Sequence, residues 1–238
     1  MMNPRVVYED NHLLVVIKPP NLLSQGDQTG DADLLTLMKA YIKEKYQKPG
    51  DVYLGLVHRM DRPVGGLLCL ARTGKAASRL SAQAASHAMG RTYLAVVEGH
   101  TPEEGTLRDF LLKDSDANRV TVVPEGTAGS KSAVLHYTRL QADDTASLVA
   151  ITLETGRAHQ IRVQMTHAGY PLAGDARYGD GKPGRQIALW GAVLTLEHPT
   201  KKERMTFAST PEGSEWGAFE NSISRFFDGY DTQGEGHE

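Results

Sequence analysis

Residues 67–71, Leu-Leu-Cys-Leu-Ala, form an apolar run with no polar alternation. A run of that kind belongs to a strand covered on both faces, so the chain has to supply layers on either side of it. Val6–Tyr8 and Leu13–Ile17 are apolar and β-branched around the turn-like Glu9-Asp10-Asn11-His12, which predicts a hairpin; Pro19 and Pro20 end it by removing ladder donors. Leu34, Leu37, Met38, Tyr41 and Ile42 recur at helical spacing and predict an amphipathic helix over 34–46. Leu54–Val57 reads as a short strand running into a loop, which Pro63 and the paired Gly65-Gly66 define. An Ala-rich helix is expected over Thr73–Met89, stopped at Gly90, and a second helix over Arg157–Ala168. Further strands are expected at 92–97, 120–123, 133–140, 147–153, 187–196 and 204–208. Many strands with two or three interspersed helices, in no regular βαβ order and without internal repeat, indicate an α+β domain on a largely antiparallel mixed sheet. One domain is expected over 1–228, with a polar acidic tail at 229–238 that is expected to be disordered.

No apolar run approaches a membrane-spanning length, and the N-terminus places acids before its apolar stretch and has no small-residue cleavage site. The single cysteine, Cys69, lies inside the apolar run, where a buried and inert thiol is expected. These features suit a cytoplasmic protein. The net charge of −3 argues weakly against a nucleic-acid partner, but it hides a segregation. The tail from Asp228 holds four acids and no Lys or Arg, leaving 26 bases against 25 acids in the body. Residues 57–91 carry Arg59, Arg62, Arg72, Lys75, Arg79 and Arg91 against Asp61 alone. Residues 157–191 carry Arg157, Arg162, Arg177, Lys182 and Arg185 against Asp175 and Asp180. Two basic stretches in a neutral body suit an anionic ligand or a phosphate backbone; solvated faces are the alternative.

Asp61 stands out as the one acid among six bases, flanked by Met60 and Arg62 with Arg59 close by. Such surroundings favour an ionised carboxylate, as a nucleophile or an anchoring charge requires, although an Asp holding a turn through an ion pair has the same local sequence. The second dense stretch runs from Glu154 to Gly179, where Arg162 could clamp a carboxylate of another segment in bidentate fashion. Other chemistries find less support. His159 and His167 are eight apart with no Cys beside them and no HExxH occurs, so no metal site is expected. The Gly126–Ser132 segment has the wrong glycine spacing for a phosphate loop, and neither a GxGxxG nor a GxSxG motif is present.

Five segments in order resemble the successive motifs of RluA-type pseudouridine synthases: VYEDNHLLVVIKPPNLLSQ at 7–25, HRMDRPVGGLLCLARTGKAASRLS at 58–81, YLAVVEG at 93–99, GRAHQIRVQMTHAGYPLAGDARYG at 156–179 and LWGAVLTLEHP at 189–199. The resemblance implies the pseudouridine synthase fold and the isomerisation of uridine in tRNA or rRNA to pseudouridine, without metal or organic cofactor, by a chain expected to act as a monomer. It assigns Asp61 as the carboxylate that drives breakage of the N-glycosidic bond and Arg162 as the residue that pairs with it. Tyr93 would pack on the target base and is a candidate for taking the C5 proton. Arg59 would enter the space left by the flipped uridine, and Ile161 and Leu189 would line the base pocket. Arg62, Arg157 and His58 complete the expected substrate-binding set, His58 and His159 also being candidates for structural hydrogen bonding.

Extracting a base from its stack costs a few kcal/mol, which calls for backbone contacts and an apolar slot. Asp61 could attack C1′, attack C6 or promote loss of the C2′ proton, and each route needs the carboxylate at the nucleotide. The chain departs from the family pattern at Val64-Gly65, Ala158, Gln164 and Trp190-Gly191, positions outside the Asp61, Tyr93 and Arg162 set. Because the resemblance starts near residue 7, target choice is expected to rest on the catalytic domain and the 26–50 insertion. A catalytically silent RNA-binding module of the same fold is the competing reading, and a hydrolase acting on a nucleotide or phosphoester a third.

Overall fold

The computed structural model describes residues 4–182 and 186–230. Along the chain run β1 (Arg5–Glu9), β2 (Leu13–Lys18), α1 (Leu34–Lys45), β3 (Gly55–Leu56), β4 (Gly65–Ala71), α2 (Gly74–Ala85), β5 (Gly90–Glu98) and β6 (Glu104–Asp114). They are followed by β7 (Arg119–Val123), β8 (Lys131–Ala142), β9 (Ala146–Leu153), α3 (Gln160–His167), β10 (Leu189–Glu197), β11 (Arg204–Ala208) and α4 (Glu220–Phe227). The expected α+β class holds. The chain divides into two compact units: one takes in residues up to Arg91, Gly191–Ser209 and Tyr230, the other Thr92–Trp190 and Thr210–Gly229. Of the acidic tail, residues 231–238 lie outside the described residues, as does Arg185.

In the first unit the strands lie in the order β1-β2-β4-β10, with β3 beside β4 and β11 beside β10. All residues of β2 and β4 are buried, which is the two-sided cover that the apolar run at 67–71 demanded. Each fully buried Leu or Val contributes roughly 1.5–3 kcal/mol relative to exposure. Helix α1 starts where the Asp33 side chain accepts the Thr36 N–H at 3.0 Å, and it buries Leu34, Met38 and Ile42. Helix α2 is capped by Thr73, whose hydroxyl accepts the Ala76 N–H, but it ends four residues earlier than the Ala-rich pattern suggested. His87 adopts φ 60°, a left-handed conformation that stops the helical ladder before Met89.

Asp10 ties the hairpin to the far strands of this unit. One carboxylate oxygen accepts the His12 and Leu13 N–H groups, and the other accepts from His198 Nε2 at 2.7 Å. His198 Nδ1 in turn accepts the Thr200 and Lys201 N–H groups in the turn after β10. The imidazole is therefore the neutral tautomer with its proton on Nε2.

Gly66 sets the closest approach in this unit. Its φ is +119°, and a Cβ there would stand 2.4 Å from the backbone N and O of Gly191. Backbone cannot give way as a side-chain end can, so Gly66→Ala is expected to lower unfolding free energy by about 3 kcal/mol or more, read by denaturant titration. A loss within about 1 kcal/mol would contradict the close packing of β4 on β10.

The second unit orders its strands β5-β9-β8-β6-β7, all antiparallel. Strand β6 was not anticipated, because Glu104, Arg108, Asp109, Lys113 and Asp114 give it a polar composition. Pairing with β8 on one side and β7 on the other makes it a strand nonetheless. Helix α3 begins at Gln160, three residues later than expected, because His159 adopts φ 51°. The Gln160 side-chain oxygen accepts the Arg157 N–H at 2.9 Å and the Thr155 hydroxyl at 2.8 Å, which ties off the chain just before the helix. Leu111, Val120, Ala133 and Val163 join β6, β7, β8 and α3 in one apolar cluster, with Val122 and Tyr178 packed against it. Helix α4, also unanticipated, buries Ile223 and donates the Ser222 hydroxyl to Gln141.

Candidate active site

In the first unit the site is the loop between β3 and β4 that carries Asp61. The half-buried Asp61 sits between residues whose backbones are fastened on both sides. Before it, Ser24 Oγ donates to the Met60 carbonyl at 2.8 Å and accepts the Met60 N–H at 3.1 Å. After it, the Arg62 carbonyl accepts the Asn21 N–H at 2.8 Å and Lys18 Nζ at 3.2 Å. The Asp61 carbonyl itself accepts the Val64 N–H, closing a turn over 61–64 with Pro63 at its third position. Asn21 adopts φ 67°, and Ser24 is itself buried. The Lys-Pro-Pro-Asn segment, read from sequence only as the end of a hairpin, is thus the bracket that holds the Asp61 loop.

Lys18 is fully buried, and its ammonium donates to the carbonyls of Pro19 (3.0 Å), Leu22 (2.8 Å) and Arg62. Three donors meet three acceptors. Burial lowers its pKa to about 7, with the Asp61 charge pulling it up and Arg62 pushing it further down. A lysine depressed below its ordinary value releases a proton on folding across that interval. The cost of burying the charged form is fully present below about pH 7 and is relieved as pH rises toward the ordinary lysine value. Wild type is therefore expected to gain stability relative to Lys18→Met as pH rises above about 7, measured by urea unfolding at several pH values; an unchanging difference would contradict this.

The remaining bases of the first stretch divide sharply. Arg72 pairs with Glu9 at 2.9 Å, Arg79 donates to the Pro199 carbonyl, and Arg62 pairs with Asp31 at 2.6 Å in an exposed contact worth little in stability. Arg59 and Lys75 are exposed. The anionic-ligand surface suggested by six bases is therefore narrower than their number. His58 is buried, and its Nε2 accepts the Cys69 N–H at 3.1 Å, so Nδ1 carries the proton. Burial and then the Arg91 charge lower its pKa to about 3, which keeps the ring neutral. Cys69 is fully buried, and burial pushes its thiol pKa up, as expected of an inert side chain.

In the second unit, Tyr93 lies in β5 opposite Ile151 and is 7% exposed. Ile161 on α3 and Leu189 at the start of β10 are also buried. Arg162, in the first turn of α3, donates from Nε and Nη2 to the two carboxylate oxygens of Asp175, each at 2.8 Å. Both side chains are almost fully buried, a geometry in which a bidentate pair is strong but each member depends on the other. Burial raises the Asp175 carboxyl pKa, but the Arg162 guanidinium and the N–H groups of Arg177 and Tyr178 outweigh it and hold the group ionised. Asp175 engages the Nε and Nη2 edge of the guanidinium. Sequence reasoning did not select Asp175, although an Asp thirteen residues after Arg162 in a basic stretch was the available signal.

Arg157 is exposed, with Nε bonded to the Ser132 carbonyl, and Arg177 donates to the Asn118 carbonyl. His159 Nδ1 lies 2.7 Å from the Tyr178 hydroxyl. Gln164 is buried on α3 and donates to Asp109 at 2.7 Å as well as to the Leu107 and Ala133 carbonyls, a fastening of the helix to β6 and β8.

Comparison with known proteins agrees with this architecture. Residues 12–167 match the family model described as RNA pseudouridylate synthase. The chain is 35% identical over 216 residues to the ribosomal large subunit pseudouridine synthase D of Zymomonas mobilis, covering 85% of this chain and 67% of that protein. It is 33% identical over 231 residues to the protein of the same name from Pseudomonas aeruginosa, covering 89% and 69%. The solved structure of human RNA pseudouridylate synthase domain containing 4 superposes with a TM-score of 0.74 at 19% identity, covering 93% of this chain and 92% of that one, a likeness of fold. Human RNA pseudouridylate synthase domain containing 1 superposes with a TM-score of 0.69 at 26% identity, covering 88% and 84%. On the extent of these matches, the chain belongs to the RNA pseudouridylate synthase family and is an RNA pseudouridine synthase, an isomerase.

Proposed function

We propose that this enzyme isomerises a specific uridine of ribosomal RNA, with Asp61 as the catalytic carboxylate acting on a uridine flipped out of its stack. The observation that carries the reading is the bracketing of Asp61: its neighbours Met60 and Arg62 are each bonded to the 18–24 segment. A turn that serves only to connect two strands needs no such fixation, whereas a reacting carboxylate placed about 1 Å off loses much of its rate. On this reading Tyr93 packs on the base and is the candidate acceptor of the C5 proton, Ile161 and Leu189 wall the slot, and Arg162 keeps the carboxylate ionised and aimed. Arg59, exposed, fills the space left by the uridine, and Arg62, Arg157 and His58 support RNA binding, His58 by holding the loop from within the core. No organic cofactor or metal enters the scheme, and the enzyme acts as a cytoplasmic monomer.

Ribosomal RNA is favoured over transfer RNA because relatives matching over most of this chain bear the name ribosomal large subunit pseudouridine synthase D. Pseudouridine mapping of ribosomal and transfer RNA from cells lacking the protein tests the choice. A site missing from ribosomal RNA and restored by purified enzyme is the expected result; a site missing from transfer RNA alone would reassign the substrate.

A further inference from the structure

The GDARYG segment that follows α3 contributes more than Asp175. Tyr178 is tied at every part of its length. Its N–H donates to Asp175 at 3.2 Å, and its hydroxyl accepts the Val120 N–H of β7 at 2.9 Å and lies 2.7 Å from His159 Nδ1. Its ring packs on the apolar cluster formed by Leu111, Val120, Ala133 and Val163. The guanidinium carbon of Arg162 lies 5.1 Å from the ring centroid and that of Arg119, on β7, 5.4 Å. Both distances fall within the range where a ring quadrupole attracts a cation. Asp175 fixes Arg162 along one edge of the guanidinium, and the Tyr178 ring is a second partner of the same cation.

We propose that Tyr178 is a positioning residue of the isomerisation: held by β7 and His159, it fixes the attitude of Arg162 and so acts on the rate of the chemical step. The proposal rests on the reading above in which Arg162 serves turnover. It differs from a general packing role because the ring lies within cation–π range of the guanidinium itself, and its hydroxyl bonds belong to the strand and the residue that flank α3.

The test is single-turnover isomerisation at saturating RNA, with RNA affinity and thermal unfolding measured on the same variants. Tyr178→Leu, which removes ring and hydroxyl, is expected to slow the step roughly 30- to 100-fold, the scale of a small misplacement at a reacting centre. Tyr178→Phe keeps the ring and loses only the hydroxyl bonds, and is expected to lie within about fivefold of wild type but measurably below it. RNA affinity in both should stay within about twofold, since phosphate contacts govern it. A folded Tyr178→Leu turning over at the wild-type rate overturns the proposal, as does a parallel fall of rate, affinity and melting temperature. Should Tyr178→Leu not fold, Tyr178→Phe decides: an unchanged rate overturns the proposal, and the expected loss at unchanged affinity supports it. Arg162→Met in the same assay separates the two layers. If it turns over normally, the underlying reading of Arg162 fails; if it is inactive while the Tyr178 variants are normal, only the positioning role fails.

Discussion

Asp61→Asn is expected to reduce turnover roughly 10⁴-fold or more while RNA affinity stays within about threefold of wild type. The substitution keeps the shape of the side chain and removes its charge, and the bonds that fasten its two neighbours are made by their backbones. They run through the Met60 and Arg62 backbones to Ser24, Lys18 and Asn21, so the variant should fold with the loop in place. Each of the three routes open to this carboxylate, attack at C1′, attack at C6 and promotion of C2′ proton loss, needs the anion at the nucleotide, so none survives as the amide. Loss of folding and binding together would make Asp61 a structural residue of the turn.

The second large effect is expected for Arg162→Met. Asp175 has no exposed side-chain surface, and without its guanidinium partner it would be a buried carboxylate supported, among the described residues, by the Arg177 and Tyr178 N–H groups. Breaking a buried pair on one side typically costs about 3–5 kcal/mol, which denaturant unfolding would read directly. Turnover should collapse as well. The double variant Arg162→Met with Asp175→Asn distinguishes the two consequences: removing the orphaned charge should recover part of the stability and none of the turnover. Recovery of turnover along with stability would reduce Arg162 to a structural role. The Asp175 carboxyl is held below its ordinary value, so the pair stabilises the fold above the usual carboxylate range and loses that contribution as pH falls through the lowered value.

What was legible in the sequence followed from strong local signals. The hairpin, α1, the loop at Asp61 and the doubly covered β4 were readable because apolar runs, Pro63 and the paired glycines each force a conformation. Strand β6 escaped because its charged residues carry no apolar signal, and only its pairing with β7 and β8 makes it a strand. The stop of α2 and the start of α3 were misread where His87 and His159 take left-handed conformations that no residue pattern announces. Candidate site residues were legible one at a time, from charge isolation at Asp61 and from motif order elsewhere. Their supports were not, since the Lys18 and Ser24 contacts with the Asp61 loop and the Asp175 clamp on Arg162 are tertiary pairings between separated segments. The basic stretches promised more free charge than the fold leaves, because Arg72, Arg79 and Arg177 bond to the protein itself.

The proposed role of Asp61 in driving uridine isomerisation is tested most directly by tritium release from C5-labelled uridine in ribosomal RNA of cells lacking the protein, with wild type and Asp61→Asn run side by side. Wild type is expected to release tritium and Asp61→Asn none above background, with both proteins retaining RNA. Equal release by the two would remove Asp61 from the chemistry, and release by neither, from ribosomal or transfer RNA, would contradict the assigned reaction.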